Sequence, residues 1–350
     1  MRLSECVANC LTVPRSSVLL LLALLLGCNT AELIIPTPQD GGDPDALAVD
    51  DGGLQGTSAV EIIVEPSDNG DGITQAIQGA KTSVHMTMYL LSSPGVLNAL
   101  IAQKKAGHDV KVVLNQTFPD ATSDNNAEFT QLKNAGVQVV WAPATFNFTH
   151  EKCVIIDGTT AWIMTMNLTA SSPQNREFLA VDGDPSDVAE AETIFQGDFT
   201  GQAPAVAGKL LVAPVNARDK LTKLIYEATT TLDVEGENFS DDALEPALVA
   251  AKARGVAVRV VLSDQPPSAA MGYAVAAFKK AGIPTVKVAN PYIHSKALVA
   301  DGALAYVGSA NYTANSLDSN RELGLLVAAP SAVALVASTI DEDFKAGVSF

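Results

Sequence analysis

The sequence has few of the residues that build disulfide frameworks or zinc sites. Its 350 residues include four cysteines and four histidines, and Cys153 lies far from the other three cysteines. A disulfide-stapled domain or a Cys/His metal centre needs paired or clustered ligands. We therefore expect no disulfides, no metal and no cofactor, and we expect Cys153 to be a small core residue.

Positive charge is absent between Arg15 and Lys81, a stretch that contains ten acids. The chain has a net charge of −17; residues 1–15 sum to +1, which leaves −8 for the chain from Lys81 onward. This balance argues against a broad nucleic-acid surface, because such a surface relies on Lys and Arg contacts to phosphates. Residues 29–59, rich in Pro, Gly and Asp, are predicted to form a disordered acidic tether.

The N-terminal apolar run, Val18–Leu26, has nine residues and is too short to cross a bilayer. Residues 1–28 are therefore predicted to be a signal peptide. The Leu-Leu-Gly-Cys sequence that ends at Cys28 resembles the lipobox of bacterial lipoproteins. This resemblance implies lipidation of Cys28 and an exported protein anchored at the outer membrane, on its periplasmic face or at the cell surface. An ordinary cleaved signal is the alternative.

The most informative stretch of the sequence is Ile293–Asn311, which has the spacing H-x-K-x4-D-x6-G-S-x-N. Its motif residues are His294, Lys296, Asp301, Gly308, Ser309 and Asn311. A histidine and a lysine two apart on a strand share a face, and an Asp-Gly pair between apolar strands predicts a hairpin turn. The hairpin would return the hydroxyl and the amide to the imidazole and the ammonium. Four donor groups that converge without a carboxylate predict a phosphate site.

A second copy of this pattern lies 144 residues earlier in the chain. Its residues are His150, Lys152, Asp157, Thr165 and Asn167, with Met164-Thr165 in place of Gly-Ser. An Asn-Arg-Glu triplet follows each copy and ends at Glu177 in the first and at Glu322 in the second. A carboxylate on one ring nitrogen fixes the tautomer and direction of an imidazole, so each glutamate is expected to orient a histidine. Asp157 and Asp301 are interpreted as structural turn residues.

Two such motifs in one chain resemble the signature of the phospholipase D superfamily, from about Val60 to the C-terminus. The resemblance implies that one histidine attacks phosphorus and forms a phosphohistidine while the other protonates the leaving oxygen, without a metal. The implied catalytic residues are His150, Lys152, Glu177, His294, Lys296 and Glu322. The implied phosphate-binding residues are Asn167, Asn311, Thr165 and Ser309. His150 is assigned as the nucleophile and His294 as the general acid, because the N-terminal histidine is more often the attacker in that superfamily.

The sequence from Val60 onward repeats itself at an offset of 144 to 148 residues. Residues 60–205 and 206–350 each alternate strands and helices, then give the motif hairpin and a last strand. This alternation predicts an α/β fold with a mixed, mostly parallel sheet in each repeat. We expect two α/β/α sandwich halves related by a pseudo-twofold, with the active site at their interface. Because one chain holds both motifs, we expect a monomer.

The resemblance implies a phosphodiesterase or phosphatidyltransferase of phospholipase D type, which we expect to act on phospholipid head groups in an adjoining membrane. A periplasmic or secreted metal-independent endonuclease is the alternative within the same superfamily, with nucleic acid as substrate. A catalytically weakened, phosphate-binding lipoprotein is the third possibility, for which Met164-Thr165 leaves room. The two repeats also differ at one aligned strand position, where the first has Tyr89 and the second has Glu237.

Overall fold

The structure is a computed structural model that describes residues 53–119 and 122–350. The predicted signal peptide, Cys28 and most of the predicted tether lie outside the described residues. Thr57 pairs with Val327 on the second half, three residues before the predicted start of the repeats. Its amide donates to the Leu326 carbonyl at 2.8 Å. The body of the protein therefore begins inside the segment predicted as tether.

Each repeat forms one sheet. The strands of the first sheet are β1 Val60–Glu65, β2 Ser83–Met88, β3 Asp109–Leu114, β4 Gln138–Trp141, β5 Lys152–Ile156, β6 Thr160–Met164 and β7 Glu177–Asp182. The strands of the second are β8 Leu211–Ala213, β9 Thr231–Gly236, β10 Ala257–Ser263, β11 Thr285–Val288, β12 Lys296–Ala300, β13 Leu304–Gly308, β14 Glu322–Val327 and β15 Val348–Ser349. The two-repeat α/β architecture is confirmed.

Helices cover both faces of each sheet. Those of the first half are α1 Asp71–Gly79, α2 Pro94–Lys105, α3 Asn126–Asn134 and α4 Pro185–Thr200. Those of the second half are α5 Ala217–Glu227, α6 Leu244–Ala253, α7 Ala269–Ala281, α8 Ala314–Asp318 and α9 Pro330–Ala346. None of the described helices is long and apolar enough to span a bilayer.

The expectation of mostly parallel sheets was wrong. The strand orders are β1-β7-β6-β5-β2-β3-β4 and β15-β11-β10-β9-β12-β13-β14-β8. In the described residues only β2-β3-β4 and β9-β10-β11 run parallel, because helices connect them. The other neighbouring strands pair antiparallel. Among them are the two motif strands of each half, which a tight hairpin joins, and β7 and β14, which fold back beside these hairpins.

A shared core joins the halves. It contains inward side chains of both sheets, such as Ile163 and Val307, together with residues of α4 and α9. Neither helix was predicted from the sequence; α4 follows β7 and α9 follows β14. The sequence does indicate the start of α4. Asp184 caps the helix by accepting from the Ser186 and Asp187 amides, and Pro185 occupies its first turn.

The motif hairpins turn as the Asp-Gly pairs predict. Asp157 and Gly158 have φ of 56° and 63°, and Asp301 and Gly302 have 54° and 63°. Each pair holds the two central, left-handed positions of a turn that is closed by the Thr159 amide donating to the Ile156 carbonyl, or by the Ala303 amide donating to the Ala300 carbonyl. The Asp157 carboxylate also accepts from the backbone amides that open β2, as Asp301 does for β9. Both aspartates therefore tie the hairpin turn to the start of a neighbouring strand.

Candidate active site

Each motif histidine lies just before its strand rather than within it. β5 begins at Lys152 and β12 at Lys296, so His150 and His294 sit in the connecting segments. These segments pair across the halves. The His150 amide donates to the Arg321 carbonyl at 2.9 Å, and the His294 amide donates to the Arg176 carbonyl at 3.2 Å. The backbone of each half therefore positions the histidine of the other.

The histidine–glutamate pairs are crossed between the halves. His150 Nδ1 lies 2.9 Å from Glu322 Oε2, and His294 Nδ1 lies 2.7 Å from Glu177 Oε1. Both glutamates are fully buried, and about 12% of each histidine side chain is exposed. A carboxylate on Nδ1 leaves Nε2 as the nitrogen available for chemistry. Neither half therefore holds a complete histidine–carboxylate pair by itself.

Thr165 and Ser309, predicted at the phosphate, are buried against these glutamates. Thr165 Oγ1 donates to Glu177 Oε2 at 2.5 Å, and Ser309 Oγ donates to Glu322 Oε2 at 2.7 Å. Both hydroxyls therefore hold a carboxylate in place in the described structure. The substitution of Met-Thr for Gly-Ser keeps this contact.

Packing explains why the residue before this hydroxyl is Gly308 in the second half and Met164 in the first. A Cβ atom on Gly308 would lie 2.6 Å from the Tyr306 hydroxyl and 2.6 Å from Gly324 Cα. The second half therefore needs a glycine beside the buried Tyr306 ring. In the first half the corresponding Met164 is buried in the core between β6 and the outer helices. Met164-Thr165 thus gives no structural support to a weakened site.

The two lysines are buried beside their histidines. Lys152 Nζ donates to the His150 carbonyl, and Lys296 Nζ donates to the His294 carbonyl. Lys296 Nζ also lies 3.3 Å from Glu237 Oε2. An ammonium group has three donors, so each lysine retains a donor for an anion.

Asn167 and Asn311 follow the second strand of each hairpin and are half-buried. Each carries a buried Oδ1 atom without a partner among the described residues. An amide oxygen accepts hydrogen bonds, so each unpaired Oδ1 is a candidate contact for a donor group of a ligand, whereas a phosphate would be bound by the Nδ2 group. Their predicted contact with phosphate remains a prediction.

The arginine of each Asn-Arg-Glu triplet, for which the sequence alone predicts no role, joins the two halves through an ion pair. Arg321 makes a bidentate pair with Asp198 of α4, at 2.8 and 3.1 Å, and both side chains are buried. Arg176 pairs in the same way with Asp343 of α9, at 2.6 and 3.0 Å. Arg176 and Arg321 are 145 residues apart, and so are Asp198 and Asp343. The repeat offset therefore indicates that the two ion pairs are equivalent.

Burial lowers the pKa of His150 to about 4, and the ammonium groups of Lys152 and Lys296 add to this effect against the attraction of Glu322. His150 is therefore neutral at pH 7. Burial also lowers the pKa of Lys152 to about 7, although Glu322 opposes that change. The pKa of Glu322 itself is held below its usual value, because His150 and Lys152 outweigh the effect of burial.

The two sides of the site differ at the end of β2 and β9. On the His150 side, the Tyr89 ring lies edge-on to the imidazole at 4.5 Å between centroids and contacts Phe118 and Phe148. On the His294 side, Glu237 Oε2 lies 3.8 Å from His294 Nε2. The pseudo-symmetry of the motifs is therefore broken by an aromatic group on one side and a carboxylate on the other.

Comparisons with known proteins agree with this architecture. The family model described as cardiolipin synthase, PLD-like domain, matches residues 73–199 and again residues 221–346. These two ranges contain all of the predicted catalytic and phosphate-binding residues.

Three similar proteins illustrate the match. A cardiolipin synthase of Oceanobacillus iheyensis is 25% identical over 308 residues, covering 76% of this chain and 64% of that protein. The chain thus spans less than two thirds of that relative. The minor cardiolipin synthase ClsB of Bacillus subtilis is 25% identical over 334 residues, with 82% of each covered. The structure of a phosphatidylserine synthase from Haemophilus influenzae aligns with a TM-score of 0.65 at 12% identity, covering 83% of this chain and 87% of that one.

One family model matches both halves, and each half carries the same histidine, lysine, asparagine and glutamate. The chain belongs to the phospholipase D superfamily.

Proposed function

We propose that this protein cleaves the phosphodiester bond of phospholipids and transfers the phosphatidyl group to water or an alcohol. The observation that carries the proposal is the pair of crossed His–Glu contacts, which directs two imidazoles and two buried lysines into one site. Fixed cations beside a phosphate stabilise negative charge that grows on its oxygens during attack. The likeness to cardiolipin synthases supports a phospholipid substrate.

In the proposed reaction His150 is the nucleophile and His294 the general acid. Nε2 of His150 bonds to phosphorus as the bond from phosphorus to the head-group oxygen breaks, and the Nε2 proton of His294 moves to that oxygen. Water or an alcohol then gives its proton to His294 while its oxygen bonds to phosphorus and the nitrogen–phosphorus bond breaks. A neutral His150 suits attack. His294 has a carboxylate near each ring nitrogen, an arrangement that suits a ring donating from both.

Three groups of residues would support these two histidines. Glu177 and Glu322 would fix the tautomers, with Thr165 and Ser309 holding the carboxylates in place. Lys152 and Lys296, with Asn167 and Asn311, would bind the phosphoryl oxygens. Lipidation at Cys28 would hold this site next to its substrate.

The test uses the full chain in detergent micelles with mixed phospholipids, and plasmid and single-stranded DNA in parallel samples, all with EDTA. We expect release of head groups or new phosphatidyl esters, abolished in His150→Asn, and no nicking of DNA. DNA cleavage that depends on His150, without lipid turnover, would favour the nuclease. Binding without turnover on either substrate would favour the phosphate-binding lipoprotein.

A further inference from the structure

The site has two chemically different walls. The aromatic wall, next to His150, consists of Tyr89, Phe118 and Phe148. The polar wall, next to His294, consists of Glu237, Tyr292 and Gln265. All six side chains are half-buried. The catalytic motifs are the same on both sides. Discrimination between the two ends of a phosphodiester is therefore expected to come from the walls.

The polar wall is a preorganised set of groups. The Tyr292 hydroxyl donates to Glu237 Oε1 at 2.9 Å and lies 3.3 Å from Gln265 Oε1. The amide of Gln265 donates to the Glu237 carbonyl and to Asn238 Oδ1, at 3.2 and 3.1 Å. These contacts fix the carboxylate beside His294 without using all of its acceptor capacity. A carboxylate has about four lone-pair sites and can accept from additional donors.

Glu237 is ionised in this setting. The pKa of its carboxyl is held well below the usual range, because Lys296, His294 and the Tyr292 hydroxyl outweigh the effect of burial. An ionised acceptor makes hydrogen bonds roughly twice as strong as a neutral one. It also repels a second anion, so the phosphate itself is not its partner. The partner must be a group that donates hydrogen bonds and is attached to the phosphate on this side.

The geometry of the displacement determines which end of the phosphodiester lies beside Glu237. In an in-line displacement the leaving oxygen lies opposite the nucleophile, next to the general acid. With His150 as the nucleophile, the head-group alcohol leaves beside His294 and the polar wall, and the diacylglyceryl end lies toward the aromatic wall. The acceptor alcohol enters by the same route, because the second step is the reverse of the first.

We propose that Glu237, positioned by Tyr292 and Gln265, binds the hydroxyl groups of a polyhydroxy head group or acceptor such as glycerol. This inference rests on the proposed function and names the alcohol that the site selects. Glu237 is then a specificity residue that touches substrate. A head group without donors would displace water from this ionised carboxylate and leave only its contacts with Tyr292 and Lys296, so it would lose the hydrogen bonds that a hydroxyl makes.

The test compares two substrates that differ only in these donors. Full-length protein is given equal amounts of phosphatidylglycerol and phosphatidyl-1-propanol in mixed micelles, and the ratio of released glycerol to released propanol is measured. We expect wild type to favour glycerol and Glu237→Leu to lower the ratio by about tenfold or more, the value of a hydrogen bond to a charged group. Glu237→Gln keeps one acceptor oxygen and should fall between them.

Tyr89→Phe is the matched control, because Tyr89 occupies the equivalent position beside His150; its ratio should equal that of wild type. Should Glu237→Leu fail to fold, Tyr292→Phe removes the group that orients the carboxylate and should shift the ratio in the same direction. A parallel arm with phosphatidylethanolamine separates hydroxyl from ammonium recognition.

The outcomes distinguish this inference from the function on which it rests. Wild type that releases neither alcohol would overturn the proposed function. Wild type that releases both, with the same ratio in every Glu237 variant or an equal shift in Tyr89→Phe, would overturn only the role of Glu237. Loss confined to ethanolamine would assign the wall to ammonium groups instead of hydroxyls.

Discussion

Glu177 of the first half lies 2.7 Å from Nδ1 of His294 in the second, and Glu322 repeats the contact in the opposite direction, at 2.9 Å from His150. Each half thus holds the imidazole of the other through a buried carboxylate. Any change that separates the halves removes both tautomer-fixing contacts at once. Catalysis and the docking of the halves therefore depend on the same residues.

Replacement of Glu177 or Glu322 by glutamine should lower kcat by about 10²–10⁴-fold, because an amide cannot fix the required tautomer. KM should change little, since neither carboxylate is predicted to contact substrate. Steady-state kinetics on a soluble diester measures both values. Asp157→Asn, at the far end of the motif hairpin, is the control and should keep wild-type kcat. Near wild-type kcat in both glutamine variants would show that the crossed pairs do not serve catalysis.

His294→Asn should accumulate the covalent intermediate. A nitrophenyl diester needs little protonation to depart, so His150 should still be phosphorylated, whereas breakdown needs His294 to activate water. We expect one burst of nitrophenol and an acid-labile phosphoryl group on His150, located by mass spectrometry. His150→Asn should show neither, and the double variant should be little worse than either single variant. An adduct on His294 would reverse the assignment of the two histidines.

Activity should persist into acid solution. The pKa of His150 is lowered to about 4, so the nucleophile stays neutral down to that pH and becomes protonated only below it. The acidic limb of kcat/KM, measured with a nitrophenyl diester, should therefore lie near pH 4 instead of near 6.5. Glu322→Gln removes the anion that favours the charged ring and should move the limb lower. A limb near pH 6.5 would contradict a buried, neutral His150.

The Arg321–Asp198 pair should be a major support of the half-to-half interface. Arg321→Met leaves a buried carboxylate unpaired and should lower the free energy of unfolding by about 3–5 kcal/mol in urea denaturation. Arg321→Met combined with Asp198→Leu should recover much of the loss. Lys223→Ala breaks the exposed Lys223–Glu227 pair and should cost less than about 1 kcal/mol. Equal losses at both sites would show that the buried pair has no special role.

Cys28 should carry the lipid anchor. In a bacterial host fed a labelled fatty acid, the wild-type chain should take up label and sediment with membranes. Cys28→Ser should do neither, because stable anchoring needs attached acyl chains. Cys153→Ser is the control, since that thiol is buried in the core. Label retained in Cys28→Ser would contradict lipidation at Cys28, and a wild-type chain that takes up no label would support an ordinary cleaved signal.

The sequence by itself determined the repeat, the two H-x-K motifs and the hairpin turns. These features are local: Asp-Gly needs only its own backbone to turn, and the spacing of His294, Lys296 and Asn311 is set along one hairpin. The alternation of strands and helices also predicted an α/β fold in two halves. The helices α4 and α9 were not predicted, although Asp184-Pro185 marks the start of α4. The prediction of mostly parallel sheets was wrong, because alternating strands and helices do not specify how the motif hairpins pair with their neighbours.

Tertiary structure alone decided which glutamate serves which histidine. Sequence proximity links Glu177 to His150, whereas the fold gives it to His294, because the backbone of Arg176, just before β7, pairs with the histidine segment of the other half. The partners Arg321 and Asp198 are 123 residues apart, a contact that no local pattern specifies. The position of Glu237 beside Nε2 of His294 is likewise decided by the tertiary structure, because the pairing of β9 with β12 brings the end of β9 to the site.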